Sequence, residues 1–190
     1  MELRLLELFF LGGWAMWPLV LFSVATLFVV AERAIVFVRS DLRVDLGTAS
    51  VSMGEPESRR RAARVLYAWH RNPDHRAPAF EAAAKREIRV LERGLDLLVA
   101  MGSIAPITGF LGTVSGMITA FQTIANAAES DVNAQLVAGG IFEALITTAF
   151  GLAIAIVAIT AYNIYTHMVD RFSADLEEAA EDLSFGTARS

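Results

Sequence analysis

The sequence predicts an all-α membrane protein with three transmembrane helices. Three charge-poor runs carry that prediction. Leu8 to Ala31 is 24 residues without Asp, Glu, Lys or Arg, and Leu97 to Ala128 is 32 such residues. Val132 to Val169 is 38 residues with one charge, Glu143. A bilayer core about 30 Å thick takes roughly 20 apolar residues per helix. Three spans fit into 190 residues, and little is left for a separate soluble domain. The chain has no Cys and a formal net charge of −5. A disulfide scaffold and a basic nucleic-acid binder are therefore excluded, along with most soluble enzymes.

The first element is residues 1–38, an N-terminal segment and span 1. Its opening residues include Glu2, Arg4 and Glu7, so they lack the positive n-region of a signal peptide. The apolar run also exceeds a signal h-region of about 7–15 residues. It reads as a retained anchor. Trp14 and Trp17 stand where an interfacial aromatic anchor is expected. Pro18 falls near the first turn, where a missing N–H costs least. Glu32 and Arg33 lie near the inner end, from which long side chains can snorkel to headgroups.

Residues 39–96 hold 12 of the 16 Lys and Arg, which places this segment on the cytoplasmic side. Leu42 to Ser58 reads as linker. Arg59, Arg60, Arg61 and Arg64 open a short helix that Asn72-Pro73 breaks. The cluster reads first as positive-inside retention and contact with anionic lipid headgroups. From Pro78 the Ala-rich stretch, with Glu81 four residues before Lys85, favours a helix. It is expected to run without a break into span 2 at 97–125. The turn at 126–135 has acidic but no basic residues, so it faces outside, as does the N-terminus. Span 3 is 136–166. The acidic tail at 167–190 is cytoplasmic and reads as a helical extension. Both later spans are longer than a bilayer requires and should project into the cytoplasm.

Span 2 is small and polar. Gly109, Gly112, Thr113, Gly116 and Ala120 share one helical face, which lets another helix approach closely. Pro106 within the span frees a carbonyl and predicts a kink. Span 3 offers a matching seam of Ala144, Thr148, Gly151 and Ala155, with Glu143 and Thr147 on a neighbouring face. An intramembrane carboxylate is a functional candidate. Glu143, near mid-membrane by residue count, either acts in transport or caps a polar gap between helices. Thr113, Thr147 and Thr148 each donate and accept hydrogen bonds. They either wet a narrow path for protons or bond their own i−4 carbonyls.

Other chemistry is sparse. His70 and His75 flank a Pro loop with no third ligand, so neither metal nor other cofactor is expected. There is no phosphate loop, no GxSxG and no HExxH. No nucleophile–base pair stands out, and an enzyme is not expected.

The stretch IAPITGFLGTVSGMITAFQTIA resembles the APxxGxxGTVxGmixxF signature of the MotA/TolQ/ExbB proton-channel family. LVAGGIFEALITTAFGLAIAIVAITAYN is similar to its second signature, GIxEALxxTAxGLxxAIPAxxxYN. The two lie at Ala105–Ala125 and Val137–Asn163, with the hairpin spacing of the family. Gly12-Gly13-Trp14-Ala15-Met16-Trp17-Pro18, followed by an apolar helix and Ala31-Glu32-Arg33, looks like the first span of ExbB and TolQ. Val157 stands where the family often has proline.

The resemblance implies a bacterial inner-membrane, multi-pass protein with a periplasmic N-terminus and a periplasmic 126–135 turn. It implies a homopentamer around a dimer of single-span partners similar to ExbD or TolR, whose membrane Asp carries the proton. By motif, Thr113 and Thr148 match the polar positions facing that Asp, and Glu143 matches the intramembrane Glu. The implied function is a stator that couples the proton motive force to work. One expected client is TonB-dependent outer-membrane transport. Alternatives are a TolQ-like role through a TolA-like protein, a motility stator, or a non-conducting scaffold.

Overall fold

The computed structural model describes residues 9–40, 42, 44, 61–71, 75–126 and 134–187. All regular structure among them is helical: α1 (Met16–Arg39), α2 (Arg61–Arg71), α3 (Arg76–Glu92), α4 (Leu95–Asn126) and α5 (Ala134–Thr187). Three stretches are long and apolar enough to cross a membrane: Met16–Arg39, Arg76–Asn126 and Ala134–Ser184. The first eight residues, most of the Leu42–Ser58 linker, Arg59, Arg60, Asn72-Pro73 and most of the 126–135 turn lie outside the described residues.

The chain divides into two compact units, one formed by Met1–Val30 with Leu97–Tyr162 and the other by Ala31–Asp96 with Asn163–Ser190. In the first unit, α1 begins at Met16 and takes Pro18 into its first turn, where no intrahelical N–H bond is lost. Before it, residues 9–11 are helical and Gly13 turns the chain at φ +63°. Met16, Leu19, Ala105, Ile146 and Ile154 form the core, with Phe9, Phe22 and Phe150 packed on it. The outer surface is apolar: Phe28, Ile107, Phe110 and Ile156 are each about two-thirds exposed. Such a surface suits lipid, since lipid chains solvate apolar side chains as well as a protein core does. α4 continues as a helix through Pro106.

The second unit is built on an α2–α3 hairpin. Trp69 meets Phe80 edge-on at 6.1 Å. Arg61 and Arg64 both grip the buried Glu87, at 2.7 and 3.1 Å. The described arginines of the cluster thus engage a carboxylate of their own chain, where headgroup contact is the sequence expectation. The reason is burial: Glu87 sits on the face of α3 that packs, with Phe80, Ala84 and Leu91, and a buried carboxylate needs charged partners. Arg33 departs from expectation too. It is buried, donating to Glu32 at 2.6 Å and to the Val90 carbonyl at 3.2 Å, so it does not snorkel. Phe37 stacks on Tyr165 at 5.1 Å. Along the last part of α5, Val169, Phe172, Leu176 and Ala179 are buried at alternating spacings of three and four. That is one apolar stripe of a helix with an acidic outer face.

One expectation fails outright. The helix from the cytoplasmic segment into span 2 is interrupted at Arg93-Gly94, where Gly94 takes φ +83°. A glycine in the left-handed region is the common way for a helix to stop.

Candidate functional site

The site grows from the contact between α4 and the first part of α5. These helices run antiparallel: as residue numbers rise on one, they fall on the other. A Cβ on Gly116 would meet the Gly140 carbonyl at 2.5 Å and the Ala144 nitrogen at 3.1 Å. On Gly112 it would run into the Thr147 side chain. On Gly109 it would lie 2.7 Å from the Thr147 carbonyl and 3.1 Å from the Thr148 Cα. On Gly151 it would lie 2.6 Å from the Ala105 carbonyl. At Gly102 it would press on Ile159. The backbones approach closely along the whole seam because glycine occupies one side at each level. Ala144 and Ala155 are buried in the same unit.

The seam carries the threonines. Thr147 is fully buried against Gly112, and its hydroxyl donates to the carbonyls of Glu143 (3.1 Å) and Ala144 (3.0 Å). Thr148 is half-buried. Its hydroxyl lies 3.2 Å from the Ala144 carbonyl and 3.4 Å from the Gly109 carbonyl on the facing helix. Thr113, also half-buried, donates to the Phe110 carbonyl at 2.6 Å. The single hydroxyl hydrogen of each threonine is therefore committed to a carbonyl. What each retains toward any further group is acceptor capacity.

Glu143 stands apart from these hydroxyls. Its side chain lies against Gly13, in the turn before α1. Nearby in sequence, the Trp14 indole donates to the Ser115 hydroxyl at 3.0 Å. The seam residues Gly109, Gly112, Gly116, Ala144, Thr147, Thr148 and Gly151 are thus brought together, while the Glu143 carboxylate turns toward the N-terminal segment. Sequence reasoning overlooked Gly13, Ser115 and Gly140. The Gly12-Gly13 pair ahead of an apolar run was the available signal for the first. Ser115 within a membrane span was a signal for the second. Among the described residues no group of three or more His, Cys, Asp or Glu could hold a metal ion.

Comparison with known proteins bears directly on this seam. Residues 57–178 match the model of the MotA/TolQ/ExbB proton channel family. The biopolymer transport protein ExbB-like 1 of Synechocystis is 31% identical across 90% of this chain and 76% of its own length. TolQ of the Haemophilus influenzae Tol-Pal system is 40% identical over 51% of this chain and 42% of that protein. The biopolymer transport protein ExbB of Xanthomonas campestris is 38% identical over 55% of this chain and 41% of its own. These last two matches span less than half of the relatives' length. A family match over most of the chain and three helices able to cross a bilayer agree: the chain is a multi-pass membrane protein that belongs to the MotA/TolQ/ExbB proton channel family.

Proposed function

We propose that this chain is the proton-channel and stator subunit of a motor in a bacterial inner membrane. In this reading a homopentamer surrounds a dimer of single-span partners similar to ExbD or TolR. The observation that carries it is the state of the threonine hydroxyls. Thr148 shares its hydrogen between Ala144 and Gly109, and Thr113 gives its hydrogen to Phe110. Both oxygens then offer lone pairs only.

A carboxylate is also acceptor-only, whereas a protonated carboxyl has an O–H to donate. A threonine surface with its donors occupied therefore welcomes a protonated partner Asp and gives nothing to the ionised one. Proton arrival at the Asp lets it dock beside Thr148 and Thr113. Proton loss toward the cytoplasm releases it, and the partner moves to the next subunit. The membrane potential supplies about 2.3 kcal/mol per charge per 100 mV, enough to bias such a step. The glycine seam holds each hairpin rigid while the partner moves.

The client proposed first is TonB-dependent outer-membrane transport, in line with the ExbB relatives. A Tol-Pal role is the second reading, favoured by the 40% identity to TolQ. The test is co-reconstitution in liposomes with a single-span partner carrying a membrane Asp. Proton uptake driven by an imposed potential is expected only when both proteins are present. Uptake no greater than with the partner's Asp→Asn variant would overturn the proposal.

A further inference from the structure

The second unit presents two exposed helix faces of opposite sign. On α3 the buried positions Phe80, Ala84, Glu87 and Leu91 recur at i, i+4, i+7 and i+11. Positions 82, 86, 89 and 93 repeat that spacing two residues later, an offset of about 200° round a helix of 3.6 residues per turn. Arg86, Arg89 and Arg93 therefore face away from the packed side. With Ala82, Lys85 and Val90 they line an open groove of about 470 Å³. All three arginines are exposed, and none enters an ion pair among the described residues. Lys85 reaches only Glu81, at 3.5 Å on the exposed surface. Beyond Val169, α5 carries six exposed carboxylates and one cation, Arg171. Two of the carboxylates, Glu177 and Glu181, rim a separate groove that Phe80 and Leu176 also line.

The two faces lie at matching depths. The charge-free run of span 2 begins at Leu97, and Arg93, Arg89, Arg86 and Lys85 stand 4, 8, 11 and 12 residues before it. The charge-poor run of span 3 ends at Val169, and Asp175, Glu177, Glu181 and Asp182 stand 6, 8, 12 and 13 residues after it. Copies inserted in one bilayer with the same topology are related by rotation about the membrane normal, so only groups at equal depth can meet. A contact that sets the α3 face against itself opposes arginine to arginine, which repels. A head-to-tail contact opposes arginine to carboxylate, and contacts of that kind close into rings.

We propose that the arginine face of α3 is a docking surface for the acidic face of α5 in a second copy of this chain. Arg89 is level with Glu177, and Arg86 with Glu181. The inference rests on the homomeric reading above and names a contact that builds the homomer. One exposed ion pair contributes little. A matched row fixes the register and disfavours the like-charged arrangement.

The chain has no cysteine of its own, which makes cross-linking a clean test. Two differently tagged full chains, one Arg86→Cys and the other Glu181→Cys, are co-expressed, and their isolated membranes are oxidised. The expected product is a disulfide dimer carrying both tags, which only two copies can form. Arg86→Cys in both tagged chains should give little dimer. Adding Arg89→Glu to the first chain should cut the mixed dimer about threefold, the scale of one exposed ion pair, and adding Glu177→Arg to the second should restore it. The mass of the cysteine-free complex in mild detergent is measured alongside. A mixed dimer no stronger than the Arg86→Cys dimer, at a mass of several copies, would overturn this contact and leave the homomeric reading standing. A mass of one copy would overturn both. A mixed dimer indifferent to Arg89→Glu would overturn the charge pairing and assign the arginines to lipid headgroups.

Discussion

The Glu143 carboxylate lies against Gly13, at a backbone position with φ +63°. The two are 130 positions apart, and any side chain at 13 would overlap the carboxylate. Gly13→Ala should therefore destabilise in two ways. The left-handed conformation alone costs a Cβ-bearing residue about 1–2 kcal/mol, and the overlap with Glu143 adds to it. Adding Glu143→Ala should recover the overlap and leave the backbone cost. Unfolding of purified variants in mixed micelles measures both. Additivity of the two substitutions would show that the contact carries no energy.

The seam predicts a contrast among glycines. Gly109→Ala and Gly112→Ala force a methyl against Thr147. Overpacking of this kind costs typically about 1–3 kcal/mol. Gly139 has open space around its Cα on the same helix that carries Gly140. Gly139→Ala should be neutral or stabilise by up to about 1 kcal/mol through helix propensity. The same micelle assay on the isolated chain separates them. Equal losses at all three positions would mean that the seam is not where the hairpin gains its packing.

In the second unit, Glu87 is the carboxylate on which two arginines converge. Arg61 is nearly as buried as its partner, while the Arg64 side chain is 42% exposed. Removing one member of a buried pair leaves an uncompensated charge and costs about 3–5 kcal/mol. An exposed pair is worth about 0–1 kcal/mol. Glu87→Gln and Arg61→Ala should thus each cost near 3 kcal/mol, and Arg64→Ala less than 1. Limited proteolysis at the α2–α3 hairpin should accelerate in the first two variants and stay unchanged in the third.

What was legible in the sequence is what local composition encodes. Charge-free runs marked the membrane spans, and glycines recurring at three and four positions marked the α4–α5 seam before any contact was known. What was hidden depends on distant partners. Glu87, in the run FEAAAKREIRV, reads like a solvated helix residue until Arg61 arrives from 26 positions earlier. Arg33 reads as a snorkelling side chain until the Val90 carbonyl accepts from it. Thr26 reads like any membrane threonine, yet its buried Oγ1 has no hydrogen-bond partner among the described residues. Gly94 was outweighed by the strong helix propensity on its N-terminal side. Averaging over a window masks a single residue that takes φ +83°.

The central claim is that Thr148 acts as a hydrogen-bond acceptor for a protonated partner carboxyl, with its own hydrogen held by Ala144 and Gly109. The direct measurement is potential-driven proton uptake in liposomes holding the chain and its single-span partner, compared for Thr148, Thr148→Ser and Thr148→Val at equal assembly. The account predicts near-normal uptake for Thr148→Ser, which keeps the oxygen. It predicts at least a tenfold loss for Thr148→Val, which keeps the shape; one good hydrogen bond to the moving group is worth about 1.4 kcal/mol at that ratio. Unchanged uptake in Thr148→Val would contradict it.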